Sequence, residues 1–212
     1  MKKVILEQDT KVNFTNPKAL CLLLVSTLTV MSNATIAPAL PGLAKEFAGA
    51  SSVDLLVKML LPTPAIFIVL FAPILGFVVD KFGSKKQLII SAILFACSGA
   101  VGAELNSLES IIVSRAVLGI SVAGLMTATT ALIANYFSGK QRGQFMGLQQ
   151  AFSNIGGIVF VVSAGYLATF NPRMPFYIYG AAILLVPIIA FSIVAEPKKY
   201  SSSSAIGVTS VS

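Results

Sequence analysis

Six stretches of this chain are long and apolar enough to cross a lipid bilayer, and that constrains the fold more than any other feature. A crossing helix needs about 20 largely apolar residues. Ala19–Leu40, Leu55–Val79, Gln87–Ala103, Leu108–Asn135, Gly143–Thr169 and Phe176–Val194 are the candidates. Hydrocarbon offers no water to an open peptide group, so a spanning segment closes its backbone hydrogen bonds within itself, as a helix does. The sequence therefore predicts an all-α membrane protein of six transmembrane helices. An even number of crossings returns both ends of the bundle to one side. Composition agrees: 56% of the 212 residues are hydrophobic and 11% are charged, against about 25% charged in soluble domains.

The net charge of +7 could suggest nucleic acid, but the basic residues lie in the tails and in the short connections between apolar runs. Lys2, Lys3, Lys11, Lys18, Lys81, Lys85, Lys86, Lys140, Arg142, Lys198 and Lys199 fall on the side of the N-terminus. Only Lys45, Lys58 and Arg173 fall on the other, and Arg115 lies inside a span. Lys and Arg accumulate on the cytoplasmic side of membrane proteins. Both termini are expected in the cytoplasm and the bundle in the inner or plasma membrane. Residues 1–18 read as a cytoplasmic tail, 19–194 as the six-helix bundle and 195–212 as a cytoplasmic linker. The first residues have no continuous apolar core of the signal-peptide kind.

Chemistry of the enzymatic sort is not indicated. The chain has no histidine, which removes the commonest metal ligand and general base. Cys21 and Cys97 sit within apolar runs and are expected to pack there. No catalytic group, metal site or cofactor motif is read, and no phosphate-binding loop of the G-x4-G-K-[ST] type occurs.

The connection after the second span reads GFVVDKFGSKK, Gly76 to Lys86. Asp80 stands where the preceding helix ends, an unfavourable place for an acid because the helix C-terminus is the negative pole of the dipole. Gly83 suits the left-handed backbone of a very short helix–helix turn. The pattern Gly76-x3-Asp80-x2-Gly83-x-Lys85-Lys86 resembles the loop between helices 2 and 3 of the major facilitator superfamily of secondary transporters, with Ser84 where that family usually carries a first basic residue. The resemblance implies that Gly76, Asp80, Gly83, Lys85 and Lys86 belong to a conformational switch on the cytoplasmic side.

Arg115 is the most expensive residue in any span, since a centrally placed arginine costs about 2.5–3.5 kcal/mol on insertion scales. Arg115-x3-Gly119-x4-Gly124 resembles the superfamily's fourth helix, whose buried arginine is implicated in proton transfer. Asp54, Glu104 and Glu109 all lie near external ends. Arg115 is expected to meet one of them from outside, or to be solvated by water and substrate in a completed cavity. In the fifth span Gln150 and Asn154 are four apart and share a helix face, forming either a polar stripe on the pathway or a structural link between helices. Ser32 and Asn33, before the phrase APALP in the first span, stand near the position where many related drug exporters carry an aspartate.

The resemblance covers residues 19 to 199. It implies one half of a major facilitator fold, a 3+3 inverted repeat, although no internal sequence repeat is evident. The function it implies is secondary active transport of small molecules by alternating access, as drug efflux coupled to protons, from a half-length chain completed by a second six-helix half or by a copy of itself. A facilitator or symporter of a small metabolite is the alternative, and a non-transporting regulatory or truncated half is another. Reporter fusions check the topology. Those at Ser84, Gly139 and Ser202 are expected inside and those at Gly42, Asn106 and Pro172 outside; an outside reading at Ser84 reverses the assignment.

Overall fold

The computed structural model describes residues 17–49 and 53–193; of the expected tails, residues 1–16 of the first and all of 195–212 lie outside the described residues. Among these the structure is helical throughout. Six helical stretches have the length and hydropathy to cross a membrane: Pro17–Glu46, Thr63–Phe82, Ser84–Val101, Leu108–Tyr136, Gly139–Phe170 and Met174–Ser192. In detail the helices are α1 (Pro17–Ala34), α2 (Leu40–Glu46), α3 (Val53–Met59), α4 (Thr63–Phe82), α5 (Ser84–Val101), α6 (Leu108–Tyr136), α7 (Gly139–Phe170), α8 (Pro175–Gly180) and α9 (Leu185–Ser192).

Prolines set the boundaries that differ from the sequence reading. Pro38 and Pro41 do not end the first span in a loop. A 3-10 turn at Ala37–Ala39 leads into α2, with Pro41 in its first turn, where a missing N–H costs nothing. The second stretch does not run through from Leu55: α3 stops at Met59, and α4 starts afresh after Pro62 with Pro64 in its first turn. Pro73 is tolerated inside α4. The sixth span is continued between α8 and α9 by a 3-10 turn, Ala181–Leu184.

Gly83 makes the tight turn expected of it. Its φ of 92° is one that L side chains rarely adopt, and its N–H donates to the Val79 carbonyl at 2.8 Å. Ser84 then begins α5 directly.

The packing partners form a symmetric set. α4 packs on α6 as α1 packs on α7; α5 packs on α6 as α1 packs on α9; α1 meets α6, and α5 meets the α8–α9 span. Exchanging the first three spans for the last three turns each of the first two pairs into its counterpart and leaves α1–α6 and α5 with the α8–α9 span as themselves. Successive spans alternate in direction, so the repeat is inverted. The likeness between halves lies in the packing even though the sequence does not display it.

Close approach at the crossings depends on glycine. A Cβ at Gly119 would lie 2.5 Å from the Pro64 carbonyl oxygen, and one at Gly157 would lie 2.9 Å from Val30. Polar side chains tie other crossings: Gln87 Nε2 donates to Thr127 Oγ1 at 2.9 Å, and Ser153 Oγ donates to the Ser26 carbonyl at 3.2 Å. Buried apolar residues divide into a large cluster around Leu22, Phe95, Leu125 and Tyr179 and a smaller one around Leu43, Leu60, Ile111 and Phe176. Cys21 is buried, as expected; Cys97 is exposed on the outer flank of α5, so it does not pack in the core.

A Cβ at Gly99 would lie 2.3 Å from Tyr179 Cβ, whereas Gly76 has open space around it. Overpacking of this kind typically costs about 1–3 kcal/mol. Gly99→Val should lower the thermal unfolding midpoint in detergent clearly, and Gly76→Ala should leave it nearly unchanged.

Candidate functional site

Arg115 is fully buried, and it is the largest side chain in the structure to be so. Its place in α6 lies between the two apolar clusters, one turn beyond Ile111 of the smaller and one turn before Leu118 of the larger. Nη1 donates to the Tyr179 hydroxyl at 2.9 Å, and that hydroxyl donates to the Ser32 carbonyl at 2.8 Å. The guanidinium carbon lies 4.7 Å from the ring centroids of both Phe176 and Tyr179. Contact of a desolvated cation with aromatic faces is worth about 2 kcal/mol or more, which offsets much of the insertion cost. Snorkelling to the outer face is unnecessary: the charge is accommodated where it stands.

The external acids Asp54, Glu104 and Glu109 do not reach it. All are exposed, and the acceptor is a phenol rather than a carboxylate. A carboxylate would have to leave water to pair there, whereas a phenol is neutral and already belongs in an apolar core.

The local sequence explains the cage. Phe176 and Tyr179 are three apart in α8 and so lie on one face. Gly99, in α5, and Gly102, which follows its last turn, have the same spacing, and a Cβ at Gly102 would fall 2.3 Å from the Phe176 ring. The absent side chains at the end of α5 and just beyond it form the seat into which the rings of α8 settle. Phe95 supports the Tyr179 ring from the side, centroid to centroid 5.5 Å. Neither aromatic was singled out in the sequence. The visible signal was the matching three-residue spacing of glycines in one span and aromatics in another.

Nε and Nη2 of Arg115 have no hydrogen-bond partner among the described residues. Arginine stays protonated at all ordinary pH. The site therefore offers a permanent positive charge with unused donors at the junction of the first, fourth and sixth spans.

The other expected site residues are distributed around this centre. Ser32 is joined to Arg115 through Tyr179, by its backbone; its side chain is buried and lies 3.5 Å from Asn33 Oδ1. Asn33 is exposed. Gly119 serves the α4–α6 crossing. Gln150 Nε2 donates to Asn154 Oδ1 at 3.1 Å; both are exposed on α7, and no hydrogen bond joins them to the arginine. In the loop after α4, Gly76 and Gly83 are partly exposed, while Asp80 and Lys86 are exposed. Asp80 makes no ion pair among the described residues. Lys85 is half-buried, and its Nζ donates to the Ala190 carbonyl at 2.7 Å.

A family model described as the Major Facilitator Superfamily matches residues 22–209. The chain is 30% identical over 168 residues to the quinolone resistance protein NorA of Staphylococcus aureus, covering 79% of this chain and 42% of that protein. It is 32% identical over 135 residues to multidrug resistance protein 1 of Bacillus subtilis, covering 64% of this chain and 35% of that one. Its fold is like that of the xylose transporter XylE from E. coli in an inward-open conformation: TM-score 0.73, 20% identity, 85% of this chain and 48% of that. A bacterial homologue of the human lysosomal transporter Spinster, inward-facing, gives 0.73 at 18% identity, with 89% and 45% covered. The chain spans less than half the length of the relatives it matches.

Tyr179→Phe should report on the cage directly. It leaves a buried guanidinium N–H and the Ser32 carbonyl unpaired, and each unsatisfied buried group costs about 1–3 kcal/mol. The unfolding midpoint in detergent should fall, while Tyr177→Phe, at the exposed outer end, should change it little.

Proposed function

Because the chain belongs to the Major Facilitator Superfamily, whose members are transporters rather than enzymes, we propose that it is one six-helix half of a secondary active drug exporter. It works by alternating access, rocking against a second six-helix half around a site between them. The match to drug-resistance proteins carries the reading. An aligned stretch of 168 residues within 212 must include the fourth span and Arg115.

The substrate class is a quinolone-like or similar amphipathic drug, and the coupling ion is the proton. Arg115 supports the coupling electrostatically. It does not itself release a proton; a fixed cation stabilises the deprotonated form of any carboxyl brought near it and orients water or substrate through Nε and Nη2. Gly76, Asp80, Gly83, Lys85 and Lys86 act on the switching step, with Asp80 free to engage the completing half. Asn33, Gln150 and Asn154 face the pathway or that second half. The basic ends around Lys81, Lys86, Lys140 and Arg142 lie in the cytoplasm, so the bundle sits in the inner or plasma membrane with both termini inside. A metabolite facilitator remains the competing reading, favoured by Ser32 and Asn33 standing where exporters of this kind often carry an acid.

Liposome flux tests the proposal. The purified chain alone should move a quinolone poorly, and the chain joined by a second six-helix half should move it when a proton gradient is imposed. Arg115→Ala should reduce that flux about a hundredfold or more, the size expected when a group acting at the transition state is removed, with membrane insertion unimpaired. Strictly monomeric chain transporting as fast as a full-length relative, or gradient-independent flux, would refute the reading.

A further inference from the structure

The contact made by Lys85 at one end of the bundle is repeated at the other end by a residue outside the loop motif. Lys85, at the start of α5, donates to the carbonyl of Ala190 near the end of α9. Arg173, at the start of the sixth span, donates through Nη1 to the carbonyl of Ala103, at the end of the third span, at 3.2 Å. α5 and the α8–α9 span run antiparallel and pack together. Each carries at its N-terminal end a cation that caps the C-terminal carbonyls of the other. A helix C-terminus leaves carbonyls unpaired and is the negative end of the dipole, so both contacts follow the same physics. Under the inverted repeat the two residues exchange places.

Arg173 does more than Lys85. Its Nε donates to Glu46 Oε1 at 2.7 Å, its Nη1 lies 3.4 Å from Asn106 Oδ1, and its guanidinium lies 5.6 Å from the Phe47 ring centroid. Its own N–H is fixed by Asn171 Oδ1 at 2.8 Å. Close by, the Tyr177 hydroxyl bonds Glu104. One side chain thus gathers the outer end of α2, the α5–α6 connection and the entry to the sixth span. The planar guanidinium, with donors pointing in several directions, suits this; a lysine could serve only part of it.

We propose that Arg173 is the positioning residue of the outer face: it fastens the outer ends of the first, third and sixth spans into one body, so that they tilt together when the half rocks. The fastening stays closed through the cycle and contacts no substrate. Its role in the cycle rests on the transport reading above; the fastening itself does not.

Two measurements separate these claims, the first on the 212-residue chain with Cys21 and Cys97 replaced by alanine and the second on that chain joined by a second half. Spin labels at Lys45 and Glu109 report the outer end in nanodiscs, and labels at Phe82 and Lys140 report the inner end. Arg173→Ala should about double the width of the outer distance distribution, as local loosening does, and leave the inner one unchanged. Arg173→Lys should fall between. An outer distribution of unchanged width in Arg173→Ala overturns the proposal, as does equal broadening at both ends. In liposomes with the second half, Arg173→Ala should lower maximal quinolone flux about tenfold at an unchanged half-saturating concentration, the signature of a group that does not bind substrate. A raised half-saturating concentration with maximal flux intact overturns it too. If no assembly transports quinolone, the exporter reading fails while the spin labels still decide the fastening.

Discussion

A guanidinium that cannot lose its proton, placed where water does not reach, is the constraint around which this bundle is arranged. Burying an ion is tolerable only if dipoles and donors–acceptors replace its hydration. Here the replacement comes from one phenol and two aromatic faces, all supplied by α8. That single requirement reaches outward. The rings reach Arg115 because α5 presents glycines to them. Tyr179 has a fixed orientation because its hydrogen is given to the Ser32 carbonyl of α1. Four of the six spans are therefore committed to the environment of one side chain. A neutral acceptor also has an electrostatic consequence: a carboxylate partner would cancel the charge, whereas Tyr179 does not.

Inverted symmetry gives the remaining order. In lipid there is little hydrophobic drive for helices to associate, so close packing and interhelical hydrogen bonds hold the bundle. The glycine crossings of α6 on α4 and of α7 on α1 are the same solution used twice, as are the cation-capped ends contributed by Lys85 and Arg173. The two ends are nevertheless chemically different. The end bearing Lys85 carries Lys81, Lys86, Lys140 and Arg142 with Asp80 as its acid among the described residues. The other balances Lys45, Lys58 and Arg173 with Glu46, Asp54, Glu104 and Glu109. An exposed ion pair such as Arg173–Glu46 contributes only about 0.2–1 kcal/mol, so its value lies in where it holds three segments.

What could be read from the sequence is what a one-dimensional pattern encodes. Hydropathy gives six spans, Gly83 gives a turn with its positive φ, and a lone arginine in an apolar run announces a buried charge. Span boundaries shift where proline sits: the first span runs on past Leu40 because Pro41 opens a further helix, and the second restarts at Thr63 because Pro62 and Pro64 occupy a helix start, a role that sequence alone does not separate from a stop or a bend. Cys97 was misplaced because an apolar span has a lipid-facing side that hydropathy alone does not identify. The partner of Arg115 was missed for a different reason. Tyr179 lies 64 residues away, and only the packing of α5, α6 and α8 brings it near. Charge complementarity points to an acid or to water, whereas a lipid-embedded cation is better served by a neutral acceptor that is already buried.

The surface of the bundle bears on whether six helices suffice. α4 and α7 are largely exposed: Val69, Leu70 and Phe77 on the former, Ile158, Val162 and Tyr166 on the latter. Apolar side chains there are compatible with lipid and say nothing by themselves. Asn33, Gln150 and Asn154 are different, because an amide in hydrocarbon loses water without compensation. Gln150 and Asn154 answer part of the need with one bond to each other, yet a pair of amides has more donors and acceptors than one bond satisfies. The unused donors of Arg115 pose the same question from within the core. Exposed amides on one helix and an under-bonded cation beside another are costs to a free-standing half-bundle. In the assembly proposed above, the same groups would face water and substrate enclosed by a second set of helices.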